Sequence, residues 1–363
     1  MWYLSRPDAL RVMSDKRARK ALNRYFRVVE NVLPAKFMVA QRVEAEFDED
    51  AEVDELWKEH EDAYKRFIET QNKIDAGEID LSGMKEAEKS FLDLKMLLAK
   101  KILFNCVFCE RRCGANRLKG KLGWCKSGTE MPVSTMFMHL GEEPELVPSY
   151  TVFTIGCTMK CLHCQNWSIS QRFESGTKMT PKEIAYNVDR ARERGARNLN
   201  MVGGDPTSWL YTWLSVIKEL KRNTPLVWNS NSYYSLESAT LLQGLMDIYL
   251  LDLKYGNDRC AIRLSRAPWY WRAATRSHLY AKASGELIIR LLALPEHIEC
   301  CFRPIVQWIV KNLGPMTRTN IMWQFRPEWR AHEVQELKRR LNRQEMNETI
   351  HIAREEGLEN YIT

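Results

Sequence analysis

The chain has 363 residues, 45% of them hydrophobic and 28% charged. That balance excludes a low-complexity, collagenous or fully disordered chain and supplies enough apolar side chains for a real core. The formal charge of +7 allows an anionic partner without requiring one. The longest apolar stretches, such as 247–253 and 287–295, fall well short of the ~20 residues of a membrane span. The first residues carry no basic-then-apolar leader, so a cytoplasmic protein with no membrane contact is expected.

Residues 1–103 read as a helical extension. A basic run (Lys16 to Arg27) precedes an acidic one (Glu44 to Asp62), and Val53, Leu56, Trp57, Tyr64 and Phe67 recur at helical spacing. Gly77 and Gly83 break the pattern, after which Ala87, Phe91, Leu94 and Leu98 share the face of a second helix. Two amphipathic helices around a turn make a hairpin whose apolar stripes must pack on each other or on the main body. It reads as a supporting or oligomerising element, or as a docking surface for a macromolecule.

Residues 104–149 are a cysteine-rich segment. Cys106, Cys109, Cys113 and Cys125 are spaced C-x2-C-x3-C-x11-C. Four thiolates close a site, and this spacing suits structural zinc or a second iron–sulfur cluster. Arg111, Arg112, Arg117, Lys119 and Lys121 make the segment basic, either to balance the thiolates or to grip an anionic partner. With seven of the ten cysteines in two tight groups, metal or redox chemistry is favoured over disulfides. Cys260, Cys300 and Cys301 stand apart and read as buried small hydrophobes.

Over residues 150–330 the texture changes to apolar runs (YTVFTIG, NLNMVGG, PLVWNSN, DIYLLDLK, ELIIRLLALP, TNIMWQF) separated by amphipathic segments. One of these opens on Thr180-Pro181-Lys182-Glu183, a capping box with proline at the first helical position. Six strands alternating with helices predict an α/β fold, a partial (β/α)6 TIM-like barrel with its chemistry at the C-terminal strand ends. Residues 331–363, including VQELKRRLNRQ, read as a helical tail.

Cys157, Cys161 and Cys164 follow the first run in a C-x3-C-x2-C spacing. Three thiolates can each bond one iron of a cubane and leave the fourth iron open, as a catalytic centre requires. Structural zinc would need a fourth ligand. His163 adjoins Cys164 and would have to fold back on the same metal.

This motif at the end of a first barrel strand resembles the radical S-adenosylmethionine (SAM) superfamily. The resemblance implies a [4Fe-4S] cluster on the three cysteines and a SAM chelated at the open iron. Reductive cleavage of SAM there yields a 5′-deoxyadenosyl radical. His163 would lie near the adenine. MVGGDP places Gly203, Gly204 and Asp205 where the family has a Gly-Gly-Glu-like turn on the SAM amino group. Asn229-Ser230-Asn231-Ser232 replaces the Asp-Thr-Asn-Gly of glycyl-radical activating enzymes, and Asn229 joins the cofactor-contacting set. Asp252-Leu253-Lys254 matches the Asp-x-Lys of pyruvate formate-lyase activating enzyme, and Arg290 takes the place of its SAM-carboxylate arginine. Gln324 and Arg326 are offered to the same face. The stretch from Cys106 to MWQFRP resembles uncharacterised iron–sulfur proteins related to that enzyme.

The expectation is therefore a radical SAM enzyme of the activating-enzyme type acting on a protein or peptide, with a reductant such as ferredoxin or flavodoxin. Two alternatives stand beside it. One is radical SAM modification of RNA or a small metabolite, with the basic loop gripping phosphate. The other is a non-catalytic metal-binding scaffold.

Overall fold

The structure, a computed structural model, describes residues 2–363. One nine-stranded sheet organises it: β1 (Pro132–His139), β2 (Ser149–Thr154), β3 (Thr177–Lys178), β4 (Asn198–Met201), β5 (Leu226–Ser230), β6 (Ile248–Asp252), β7 (Glu286–Leu292), β8 (Arg318–Met322) and β9 (Tyr361–Ile362). The spatial order is β3-β1-β2-β4-β5-β6-β7-β8-β9. From β2 to β9 every pairing is parallel, while β1 runs antiparallel to both β2 and β3. All six apolar runs are strands, with helices between them. This is the expected partial barrel, extended by β1 and β3 on one side and by the short β9 on the other.

Parallel strands joined by helices bury both faces, so each strand has an outward and an inward set. Trp228, Tyr249, Leu251 and Ile289 join the large core beneath the helices, while Val227, Ile248, Leu250 and Ile288 belong to a second, smaller cluster. The chain's own beginning completes that second cluster: Val12, Leu22, Tyr25 and Phe26 pack there with Leu146. Tyr25 Oη accepts from Asn198 Nδ2 of β4 at 2.9 Å, and Glu286 at the start of β7 accepts from Arg24 N and Tyr25 N at 2.8 and 2.7 Å. The N-terminal helices thus close the barrel's N-terminal mouth.

The predicted hairpin forms from helices Val53–Asp75 and Phe91–Phe104. Ser90 caps the second, accepting from Asp93 N at 3.2 Å while the Asp93 carboxylate accepts from Ser90 N at 3.0 Å. Phe67 and Phe91 meet at 6.0 Å between ring centroids, and Lys218 of helix Leu210–Glu219 pairs with Asp93 at 2.8 Å. The hairpin packs both on itself and on the barrel, and one hydrophobic core runs from Val28 to Leu358 across all four sequence segments. The tail departs from expectation. VQELKRRLNRQ is broken after a short 3-10 turn at Gln335–Lys338, and the true helix, Arg343–Glu355, starts where Asn342 supplies a cap and Glu345 completes a capping box. No helix among the described residues is long and apolar enough to cross a membrane.

Candidate active site

The inward positions two residues beyond the barrel's apolar floor carry the polar groups. Val227, Leu250 and Ile288 are followed at i+2 by Asn229, Asp252 and Arg290, because alternate strand residues share a face. At these C-terminal strand ends lies a cavity of about 220 Å³. Cys157, Cys161, His163, Cys164, Gly203, Gly204, Asn229, Asp252, Lys254 and Arg290 all line it. Ten of the eleven residues singled out for cluster or SAM share one wall.

Cys157 and Cys161 are buried and Cys164 is partly exposed. Cys157 Sγ accepts from Met159 N at 3.4 Å and Asn231 Nδ2 at 3.5 Å, and Cys164 Sγ lies 3.1 Å from Ser170 Oγ. Burial, then the Cys164 sulfur, pushes Cys161 up to about 11; burial likewise raises Cys157, with Asp205 and the other two sulfurs adding to it. Buried thiols such as Cys157 and Cys161 ionise readily only against a bound cation, and with Cys164 on the same wall the donor set fits an iron cluster with three protein ligands.

Glycine is required at the β4 turn. A Cβ on Gly203 (φ +132°) would strike Thr154, and one on Gly204 would strike the Gly156 carbonyl. This contact seats the turn against the start of the cysteine loop. Asp205, expected on the SAM amino group, turns away. Its carboxylate accepts from Thr207 N at 3.0 Å, Ser230 Oγ at 2.9 Å and Asn231 N at 2.8 Å, and it does not line the cavity. An aspartate is short enough to cap its own turn and tie it to the end of β5.

Lys254 Nζ donates to Asp252 Oδ2 at 2.7 Å. Burial opposes the lysine's charge, but Asp252 and Cys161 outweigh it and raise its pKa. His163 is pushed down to about 3, first by burial and then by Lys254, so the ring is neutral. Its Nε2 sits 2.8 Å from Tyr255 Oη.

Arg290 lines the cavity but is already neutralised. Its Nε donates to Glu143 Oε1 and its Nη2 to Glu143 Oε2, both at 2.7 Å, while Nη2 also meets Glu142 and Nη1 reaches Asn229 Oδ1 at 3.2 Å. A free arginine for the SAM carboxylate was expected. The HLGEEPELVP loop instead inserts Glu142 and Glu143 beside it, and below them Glu145 accepts from Arg318 Nε at 2.7 Å. Arg326 also departs from expectation, pairing with Glu328 at 2.8 Å outside the cavity, whereas Gln324 lines it.

Sequence reasoning missed Asn231 as a sulfur donor, Tyr255 behind His163, and Phe325 at 5.9 Å from the His163 ring. Each directly adjoins, or lies two residues from, a residue already singled out, and that adjacency was the usable signal.

Among the upstream cysteines, a Cβ on Gly123 would lie 3.4 Å from both Cys113 Sγ and Cys125 Sγ. Arg117 Nη2 donates to Cys125 Sγ at 3.4 Å. Arg111 bridges the two cysteine groups, donating from Nε to Thr158 O at 2.8 Å with its guanidinium 4.2 Å from the Trp124 ring. Cys260, Cys300 and Cys301 correct an expectation: they are not scattered apolar fillers but gather around His297.

Residues 151–309 match the Radical SAM superfamily. The chain is 40% identical over 344 residues to the uncharacterized protein MJ0674 of Methanocaldococcus jannaschii, covering 93% of this chain and 98% of that one. The chain belongs to the radical SAM superfamily. The match to MJ0674 necessarily runs into the helical extension and the cysteine-rich segment. Among solved structures the chain is similar to SuiB of Streptococcus suis bound to S-adenosylmethionine, at 14% identity, 57% of this chain and 48% of that chain, with a TM-score of 0.40. It is also similar to SuiB bound to precursor peptide SuiA, at 13% identity, 56% and 46% coverage and a TM-score of 0.39. The chain thus spans under half the length of those chains. As a radical SAM enzyme it has a [4Fe-4S] cluster and SAM as its cofactors.

Proposed function

We propose that this radical SAM enzyme abstracts hydrogen from a protein or peptide segment presented at the mouth of the cavity, in the manner of glycyl-radical activating enzymes. Cys157, Cys161 and Cys164 would hold the cluster, with Gly203, Gly204, Asn229, Asp252 and Lys254 along the SAM site and His163 toward the adenine. When bound, the cluster supplies the electron that cleaves the SAM sulfonium. The chain's own residues orient the cofactor and keep water out, since a reactive carbon centre demands one hydrogen held close. The observation that carries the reading is the meeting of the cysteine triplet with three polar strand ends in a single cavity.

The metal of the Cys106 group, zinc or a second cluster, is read by metal counting on Cys106→Ala/Cys109→Ala. A separate basic pocket, lined by Lys126, Lys160 and Arg266 beside Trp124, suits an acidic reductant such as ferredoxin or flavodoxin. The same pocket favours a second reading, an RNA substrate, for which binding should weaken steeply with salt.

The deciding experiment is anaerobic reconstitution with SAM and dithionite. Formation of 5′-deoxyadenosine that ceases in Cys157→Ala is expected, with deuterium passing from a labelled partner polypeptide into it. No 5′-deoxyadenosine from protein carrying its cluster would end the enzyme reading. Deuterium transfer from RNA alone would end the polypeptide one.

A further inference from the structure

Away from the cavity, four potential ligand atoms converge where no motif announces them. Cys260 lies in helix Asp258–Ser265 after β6. His297, Cys300 and Cys301 lie on the connection after β7, where Ile298–Phe302 winds as a π-helical turn. Such turns are rare and concentrate at functional positions. Here Cys301 N and Phe302 N both donate to His297 O, at 3.0 and 3.1 Å. His297 Nδ1 is 3.6 Å from Cys260 Sγ, 3.4 Å from Cys300 Sγ and 3.8 Å from Cys301 Sγ, and the last two sulfurs are 3.9 Å apart. All four atoms lie within 4.8 Å of one another.

Those lengths are diagnostic. With metal–sulfur bonds of about 2.3 Å and metal–nitrogen bonds of 2.0–2.1 Å, a tetrahedron has sulfur–sulfur edges of about 3.8 Å and sulfur–nitrogen edges of about 3.5 Å. A cubane, with one thiolate on each iron, spreads its ligands much wider. Packing of cysteines as small hydrophobes would not aim three sulfurs and a ring nitrogen at one point.

The surroundings fit the same reading. His297 Nε2 faces away from the sulfurs, 3.4 Å from Glu336 Oε1 and 3.3 Å from Arg263 Nη2, so a carboxylate stands beside the ring and Nδ1 is the nitrogen turned to the cluster of sulfurs. Asn257 Nδ2 donates to Cys300 O at 2.7 Å and toward Cys301 Sγ at 3.6 Å. A Cβ on Gly256 would come within 2.6 Å of Cys301 O, so glycine lets the β6 loop press onto the turn.

We propose that Cys260, His297, Cys300 and Cys301 bind a single zinc ion, at a site distinct from both cysteine groups of the N-terminal half. Four protein donors fill the tetrahedron and leave no open position, so the ion is structural. It rivets the loops after β6 and β7 together. Tyr255, which contacts His163, precedes Gly256 on the first of these, so the ion stiffens the wall of the SAM cavity.

The test is anomalous scattering from crystals of the wild-type holoprotein, measured on both sides of the zinc and iron edges. A zinc peak among these four side chains is expected. No peak, an iron peak, or a disulfide joining two of these cysteines would overturn the proposal. In solution, Cys260→Ser/Cys300→Ser should lose one zinc per chain and keep the wild-type iron content, and unchanged zinc would equally overturn it. The crystal measurement needs no variant to fold.

Discussion

Replacing Arg290 with methionine separates a cofactor contact from an internal counter-ion. In the structure its guanidinium meets Glu142 and Glu143, all three side chains are nearly or fully buried, and Asn320 Nδ2 adds a 2.9 Å donation to Glu143. Removing the cation strands two carboxylates in a low-dielectric wall, and breaking a buried ion pair from one side costs about 3–5 kcal/mol. At the lower end of the usual ~2–4 °C per kcal/mol, suited to a chain longer than 250 residues, Tm should fall by about 6–10 °C at neutral pH. The pH dependence follows from Glu142. Burial raises its pKa, but Arg290 and His139 prevail and hold it below the ordinary carboxylate value. Its stabilising contribution is therefore complete above that ordinary value and lost as pH falls through the folded one. Without Arg290 that contribution is absent, so the Tm gap between wild type and variant should narrow on going from pH 7 toward 4. Neutralising all three positions (Glu142→Gln/Glu143→Gln/Arg290→Met) should recover most of the loss. Anaerobic thermal melts followed by circular dichroism read all of this. A shift under 2 °C at pH 7, or a gap that ignores pH, would refute the counter-ion assignment and return Arg290 to the cofactor.

Asp205→Ala should lower stability by about 1–3 kcal/mol, since three donors lose their acceptor, while SAM affinity stays within a few-fold. An intact Tm with collapsed SAM binding would instead place this carboxylate on the cofactor. Gly204→Ala, which drives a methyl into the Gly156 carbonyl, should yield protein that cannot retain its cluster iron; full iron loading would contradict that packing. His163, held near 3, should show no imidazole titration by NMR between pH 5 and 8. Burying it neutral contributes stability above its ordinary value of 6.5 that is lost as pH falls toward 3, and a titration near 6.5 would disprove its burial. Tyr25→Phe, which deletes the hydroxyl bonded to Asn198, should cost about 1 kcal/mol in denaturant unfolding, and no change would show the plug contact idle.

The strands and the cysteine triplet were legible because their signals are local. Apolar runs of strand length, a capping box at Thr180 and Glu183, and three thiols within eight residues each declare themselves inside one short window. Asn229, Asp252 and Lys254 were legible for a related reason, since a strand's C-terminal end defines where its next side chains point. What stayed hidden depends on partners far away in the chain. Nothing near Arg290 shows that Glu143, 147 positions earlier, occupies its guanidinium. Nothing near Cys260 shows that His297 lies 3.6 Å away. Asp205 was misplaced because spacing reveals a position but not a rotamer, and a short carboxylate beside Thr207 satisfies its own turn first. The tail helix was placed too early because a charge-rich stretch was read as helical throughout, while the cap at Asn342 sets the real start.

The plug at the barrel's N-terminal mouth also has a kinetic meaning. Arg24 and Tyr25 hydrogen-bond to Glu286, more than 260 positions later, and Arg17 reaches the carbonyl of Glu359. Contacts so distant in sequence close late and slowly. During synthesis the helices that carry Arg17, Arg24 and Tyr25 must therefore wait, apolar faces uncovered, until the strands they cover have emerged.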